Sequence, residues 1–331
     1  MKKILSVILA VLMIACLCCS FAACGSAETP STEAPANDAA SNDVPTEVTG
    51  KTYNVGVCQL MEHESLDQAT RGFTDALKEA MAAAGATVNI DTQVAGDATL
   101  CPTVINTFTA KQVDLIMANA TPALLAASNA TTEIPILGTS VTDYESNYAA
   151  GIPANVSGTS DAVPFAEQAQ MMIDTLGLVE GDVVGVLYCT NESNSLIQYE
   201  AVKALFEEKG IVVEAYTFSE TTELQTVTTS MASNVKAVYI PSDNTVAAND
   251  TIVGSICTDM NIPVYTSYGG AICYASLSIS YYDLGYETGK QAAQILLEGK
   301  SPADIEIATL APTVVYNEEL CAQLGIEVPE T

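Results

Sequence analysis

The sequence predicts an α/β protein built from two doubly wound parallel-sheet lobes joined by a multi-strand hinge. Three observations carry that expectation. Short β-branched runs alternate with helical segments from Tyr53 onward, the pattern of parallel sheets covered by helices. The same order of elements then occurs a second time, and in both copies one strand opens on Ile-Pro, at Ile134-Pro135 and Ile262-Pro263. The repeat is far too long for a solenoid, so it marks two similar lobes.

Ahead of the body lies an export signal. Lys2 and Lys3 precede an apolar run from Ile4 to Ala15, a charged n-region and an h-region. The run is short for a membrane span. It ends at Phe21-Ala22-Ala23-Cys24-Gly25-Ser26, where small residues flank a cysteine as in a bacterial lipobox. Residues 1–23 are therefore expected to be removed and Cys24 to carry lipid. Residues 24–50 are rich in Ala, Ser, Thr, Pro, Asp and Glu. Such a segment buries too little apolar surface to offset its ordering entropy, and it reads as a tether holding the body at the outer face of the membrane.

In the first lobe, Tyr53 to Leu60 is a strand, Ser65 to Gln68 resembles a capping box, and Phe73, Leu77, Met81 and Ala84 follow at helical spacing up to Gly85. Ala86 to Gln93 is a strand, Leu100 to Lys111 a helix, Val113 to Ala118 a buried strand, and Thr121-Pro122 opens the next helix. Ile134 to Leu137 closes the series. In the second lobe, Phe165 to Leu176, Ser195 to Lys209, Leu224 to Ala232 and Thr245 to Met260 are helices. They alternate with strands at Val183 to Tyr188, Ile211 to Phe218, Val235 to Ile240 and Ile262 to Tyr265. A strand at Ala275 to Ile279, a helix at Asp283 to Leu297, a strand at Pro312 to Tyr316 and a short helix around Glu318 to Leu324 complete the chain. The expected division is 51–158 for lobe 1, completed by about 270–308, and 159–269 for lobe 2, completed by about 309–331. Crossings are expected near Gly158, Tyr268 and Leu310.

Composition excludes several classes of function. With 11 Lys and Arg against 40 Asp and Glu, the net charge is −29, so no basic patch exists to neutralise nucleic-acid phosphate. The body cysteines, Cys58, Cys101, Cys189, Cys257, Cys273 and Cys321, include no CxxC, and His63 is the chain's one histidine. That leaves no metal-ligand spacing, no HExxH and no nucleophile elbow. A disulfide among these cysteines is open. No cofactor and no catalysis are expected.

A resemblance then becomes specific. It rests on Gln59-Leu60-Met61-Glu62-His63, Ala120-Thr121-Pro122-Ala123, Thr139-Ser140-Val141-Thr142-Asp143 and Gly158-Thr159-Ser160-Asp161. It continues with Leu187-Tyr188-Cys189-Thr190-Asn191-Glu192-Ser193-Asn194-Ser195, Pro241-Ser242-Asp243-Asn244-Thr245-Val246 and Tyr281-Tyr282-Asp283-Leu284-Gly285. In this order, over essentially the whole body, the chain resembles the ABC-transporter substrate-binding proteins that include tryptophan- and tyrosine-binding lipoproteins. The resemblance implies a type I periplasmic-binding fold, permease and ATPase subunits as partners, a monomer, and an aromatic amino acid as ligand.

Ligands of open parallel sheets bind beyond the carboxyl ends of the strands, and polar residues recur at those ends. Gln59, Thr121, Ser140 and Thr142 occupy them in the first lobe; Asn194, Ser195, Asn244, Ser267 and Tyr268 do so in the second. Hydroxyls and helix N-termini suit a carboxylate. Asp243, with Asp161 as second choice, is the candidate partner for an ammonium group. Glu62 and His63 are placed on the cleft wall. Capping and turn chemistry uses the same residue types, so these residues argue for a site as a set. Tyr144, Tyr148, Phe165, Tyr188 and Tyr268 are the aromatic candidates for a pocket wall. A sensor or adhesin of the same fold, or a different small solute, is the alternative.

Overall fold

A computed structural model describes residues 49–329; the export signal, Cys24 and nearly all of the tether lie outside the described residues. The first half runs β1 (Thr52–Gln59), α1 (Glu64–Ala83), β2 (Thr87–Val94), α2 (Cys101–Lys111), β3 (Leu115–Asn119), α3 (Thr121–Ala130), β4 (Ile136–Val141), α4 (Tyr144–Asn147) and β5 (Val156–Ser160). The second half runs α5 (Phe165–Leu176), β6 (Val183–Cys189), α6 (Ser193–Glu207), β7 (Val212–Phe218), α7 (Thr221–Ala232), β8 (Ala237–Ile240), α8 (Asn244–Ala247), α9 (Asp250–Asp259), β9 (Val264–Thr266) and β10 (Ala275–Ser278). The chain ends with α10 (Tyr281–Glu298), β11 (Ala308–Thr309), β12 (Thr313–Tyr316) and α11 (Glu318–Leu324).

Two six-stranded sheets result, ordered β11-β5-β4-β3-β1-β2 and β12-β10-β9-β8-β6-β7. The orders are the same, as the repeated sequence pattern implies. The first sheet is parallel throughout, while β12 runs antiparallel to β10 at the edge of the second. Central strands such as β3, β4 and β8 are buried along their whole length, because helices cover both faces and leave no polar side. The Ile-Pro openings serve the same purpose in both lobes. The carbonyls of Pro135 and Pro263 accept from Ile116 and Val238 of the neighbouring strand, and proline's missing N–H is not needed there.

The crossings differ in part from expectation. The strand Ala275–Ser278, expected in the return into the first lobe, pairs with β9 and β12 and so belongs to the second sheet. The chain crosses after Ser160, at Ile279-Ser280 and between Thr309 and Thr313. Gly158 lies inside β5, and Tyr268 lies some ten residues before its crossing. The helix expected from Thr245 to Met260 is two helices, α8 and α9, meeting at Ala248-Asn249.

One helix pairing positions the cleft. In the first lobe α1 lies against α10, and the approach is close enough that a Cβ at Gly72 or Gly285 would overlap the backbone oxygen of Tyr282 or Ala69. This contact aims the N-terminus of α1 at the second lobe. That terminus is not the expected capping box: the helix starts at Glu64 with His63 as N-cap, and no side chain caps it. Ser65 therefore sits within the first turn.

Candidate functional site

Between the lobes lies a slit lined by His63, Ser65, Leu66, Ser140, Asp161, Ser242, Asp243, Asn244, Ala247, Tyr268 and Tyr281. It holds about 250 Å³ of atom-free space. The slit is thin, with about the room that one water needs. A wider vestibule of about 910 Å³ shares His63, Ser65, Ala247, Tyr268 and Tyr281 with it and adds Glu62, Glu64, Gln68, Ala248, Asp250 and Gly270. An open hollow of about 1870 Å³ lies between Asp174–Gly177 and Leu324–Pro329. Lys236 and Pro263 on its wall precede β8 and β9, so it lies at the amino ends of the strands, where this architecture places no ligand.

On the second lobe the wall carries a hydrogen-bond network centred on two carboxylates. Glu192, 2% exposed, accepts from Asn244 N (2.9 Å), Asn244 Nδ2 (2.6 Å), Thr245 N (2.8 Å), Thr245 Oγ1 (2.8 Å) and Asn194 Nδ2 (3.3 Å). Asp243, 1% exposed, accepts from Cys189 N (2.7 Å), Ser195 Oγ (2.8 Å) and Val246 N (2.8 Å). Both carboxylates thus cap α8. Burial raises the Asp243 carboxyl well above its ordinary value, and the charge of Glu192 adds to the rise.

The first lobe offers groups with nothing to bind. Ser140 Oγ, 7% exposed, and Asp161 Oδ1, 5% exposed, line the slit without a hydrogen-bond partner; so does Tyr268 Oη from the second lobe, 9% exposed. Buried polar atoms are nearly always paired, so three orphans on one slit point to a ligand. The other Asp161 oxygen accepts from Tyr281 Oη at 3.0 Å. Burial raises the Asp161 carboxyl, and the hydroxyls of Tyr281 and Thr142 pull the other way. Ser140 has a left-handed backbone, φ 55°, at the point where the β4–β5 register shifts. That strain in a non-glycine residue turns its side chain out of the strand's alternation. The first N–H groups of α1 have no intrahelical acceptor, and Ser65 and Leu66 bring them to the slit.

Contacts across the cleft hold the lobes together. His63 Nε2 lies 3.2 Å from Asn244 Oδ1, Gln198 Nε2 donates to Thr142 Oγ1 at 3.3 Å, and Ser193 Oγ donates to Asn147 Oδ1 at 3.0 Å. Burial lowers the His63 pKa, opposed by the Asn244 contact and by the charges of Glu192, Asp67 and Asp250.

The structure gathers part of the expected residue set. Ser140, Asp161, Asp243, Asn244 and Tyr268 line the slit, and Glu62 stands at the vestibule. Gln59 does not reach it: its amide donates to Met61 O (2.7 Å) and Asp67 Oδ1 (2.6 Å) and accepts from Thr70 Oγ1. Thr142, Asn194 and Ser195 lie behind the wall, bound to Gln198, Ser242 and Asp243. Ser267 accepts from Gln168 at 3.1 Å, and Thr121 is buried off the slit. The candidate Asp243 has both oxygens occupied; the carboxylate with a free oxygen is Asp161. Of the aromatic candidates only Tyr268 lines the slit. Tyr144 donates to Thr159 O, Tyr148 to Ser128, Tyr188 stacks on Tyr199 and Phe165 packs in the second lobe's core. Sequence reasoning passed over Ser65, Leu66, Ala247, Tyr281 and Glu192 as site residues, although Tyr281 and Glu192 stand within the quoted motifs. All six body cysteines are free and buried.

A family model described as ABC transporter substrate binding protein matches residues 54–331. The chain belongs to that family. Its proteins bind a substrate outside the cytoplasm and deliver it to a permease and ATPase without converting it. Among the described residues no helix is long and apolar enough to cross a membrane. The chain is 33% identical over 286 residues to a tyrosine-binding protein of Clostridioides difficile (strain R20291), covering 84% of this chain and 82% of the relative. A solved ABC domain from Streptococcus pneumonia in complex with L-Trp shares 32% identity at a TM-score of 0.77, over 83% and 96% of the two chains. A ligand-free, open substrate-binding protein with adhesive properties from Clostridium difficile shares 33% identity at a TM-score of 0.62, over 84% and 96%. At nearly equal identity this molecule superposes better on the L-Trp complex than on the open form.

Proposed function

We propose that this lipoprotein captures an aromatic amino acid, tyrosine or tryptophan, in the slit between its lobes. The observation that carries the reading is the convergence of Ser140 Oγ, Asp161 Oδ1 and Tyr268 Oη, buried and unpartnered, on one slit. Asp161 takes the ammonium, since an unpaired buried carboxylate is complemented by a cation. The uncapped N-terminus of α1, at Ser65 and Leu66, takes the carboxylate. Tyr268 and Tyr281 flank the ring, which extends toward the vestibule. The slit is too thin for an amino acid as it stands, so the lobes part at the three crossings and close on the ligand. The better fit to the L-Trp complex than to the open relative supports reading this conformation as the closed one. Residues 1–23 are removed on export, lipid on Cys24 anchors the protein, and the body works as a monomer.

The test is a thermal-shift screen of the body against the amino acids, followed by calorimetry. A ligand that binds the folded state alone raises the melting temperature by mass action. Tyrosine or tryptophan is expected to give the largest rise. No rise with either, alongside a rise with another solute class, rejects the reading. Globomycin treatment of a bacterial host, with processing lost in Cys24→Ala, tests the anchor.

A further inference from the structure

The charge around the slit is one-sided. Asp161 and Asp243 line it, Glu192 stands directly behind Asn244 and Thr245, and Glu62, Glu64 and Asp250 surround the vestibule. Among the described residues, no lysine or arginine lines either space. A ligand's carboxylate therefore meets neutral donors alone, chiefly the N–H groups of α1 and the hydroxyls of Ser65, Ser140 and Tyr268. At the same time it lies within a field of carboxylates. The helix end offers about half a positive charge, and it is flanked by Glu62 and Glu64. The N-terminus of α8 cannot add to it, because the N–H groups of Asn244, Thr245 and Val246 already donate to Glu192 and Asp243. An ammonium in the same slit meets the reverse: a desolvated, unpaired carboxylate oxygen on Asp161, and the summed attraction of its neighbours in a medium that screens poorly.

We infer that recognition is anchored on the ammonium group: a primary arylalkylamine lacking the carboxylate is a ligand of this site, and the matching aromatic acid lacking the amine is not. This rests on the aromatic amino-acid reading for the ring and deepens it for the polar end. It narrows the ligand class to molecules carrying a primary amine near an aromatic ring. It also separates the two ends of the amino acid, giving Asp161 the specificity and the α1 terminus a supporting role.

Three probes decide it by calorimetry on the body at neutral pH: L-tyrosine, tyramine and 3-(4-hydroxyphenyl)propionate. Tyramine is expected to bind at least tenfold tighter than the propionate. In Asp161→Asn, whose fold is checked by circular dichroism and melting, that preference is expected to fall below tenfold. The propionate binding as well as tyramine, or L-tyrosine binding while tyramine does not, overturns the inference. So does an undiminished preference in the Asp161→Asn protein. If L-tyrosine and L-tryptophan both fail while tyramine binds, the amino-acid reading falls and this one stands.

Discussion

On the second lobe's side of the cleft, Glu192 and Asp243 have all their oxygens engaged, and they fix α8 and Asn244 before any ligand arrives. On the first lobe's side, Ser140 is strained and unpaired, Asp161 has a bare oxygen, and α1 ends without a cap. Both walls are made from the same residue types. The difference teaches that a buried carboxylate here has one of two uses, organising the protein's own backbone or waiting for a cation, and that the count of its hydrogen bonds tells which. Mutations on the two walls should accordingly fail in different ways.

The largest expected effect lies on the satisfied wall. Glu192→Ala strands the donors of Asn244 and Thr245 in a buried place. Each stranded donor costs about 1–3 kcal/mol, and partial relief by water leaves a loss of about 3–5 kcal/mol in urea unfolding. The comparison breaks if Glu192→Ala melts like the wild type and changes affinity alone. Asp243→Ala belongs with it, as a loss of stability first and of affinity second.

Next comes the unsatisfied wall. Asp161→Asn keeps the acceptor for Tyr281 and removes a buried charge without a cationic partner. Affinity for the amino acid is expected to fall about a hundredfold, close to 3 kcal/mol. Ligand-free stability is expected to rise by about 1 kcal/mol, or roughly 2–4 °C in melting temperature. A variant that loses both affinity and stability would place Asp161 with Glu192 as a structural brace.

The same residue predicts a pH dependence. Burial raises the folded-state pKa of Asp161 above the ordinary carboxylate value of 3.8. Between that value and the raised one, the folded state holds a proton that the unfolded state has lost. Its contribution is therefore favourable at acid pH and is lost as pH climbs through the raised value. The stability advantage of Asp161→Asn over the wild type should grow as pH rises from about 4 toward neutrality. Wild-type affinity for an ammonium ligand should grow over the same window. Parallel urea titrations at several pH values check the first, and a flat difference between the proteins would remove Asp161 as its source.

The contrast between the walls also marks what the sequence could reveal. Both sheets were legible because buried strands are continuous apolar runs, as at Leu115 to Ala118 and Ala237–Ile240, and helices repeat at their own spacing. The cleft was legible as a place because strand ends carry polar residues. Which carboxylate keeps a free oxygen was not, since a capping Asp and an unengaged Asp have the same composition signature. Asp243 precedes a helix and Asp161 a crossing, and hydrogen bonds from Cys189 and Ser195, distant in sequence, occupy the first. The sheet that takes Ala275–Ser278 was likewise hidden, because pairing with β9 and β12 is a long-range choice that no local pattern records.

The smallest effect concerns the seam between the walls. His63 of the first lobe meets Asn244 of the second at 3.2 Å, and Asn244 is held in turn by Glu192. Closure buries the imidazole and lowers its pKa below the ordinary 6.5, despite Glu192, Asp67 and Asp250 nearby. For a base lowered in this way the open or unfolded form binds more protons. The closed form is therefore favoured above about pH 6.5 and loses that advantage as pH falls through the lowered value. One neutral hydrogen bond is worth about 0.5–1.5 kcal/mol, so His63→Ala should weaken binding roughly twofold to tenfold at neutral pH. His63→Gln can keep a donor toward Asn244 without a titrating proton. Its affinity should stay near the wild type at pH 7.5 and exceed it at pH 5.5, with the acid sensitivity of Asp161 common to both proteins. Equal ratios at the two pH values, measured by calorimetry, would mean that the seam is packed by His63 but not gated by it.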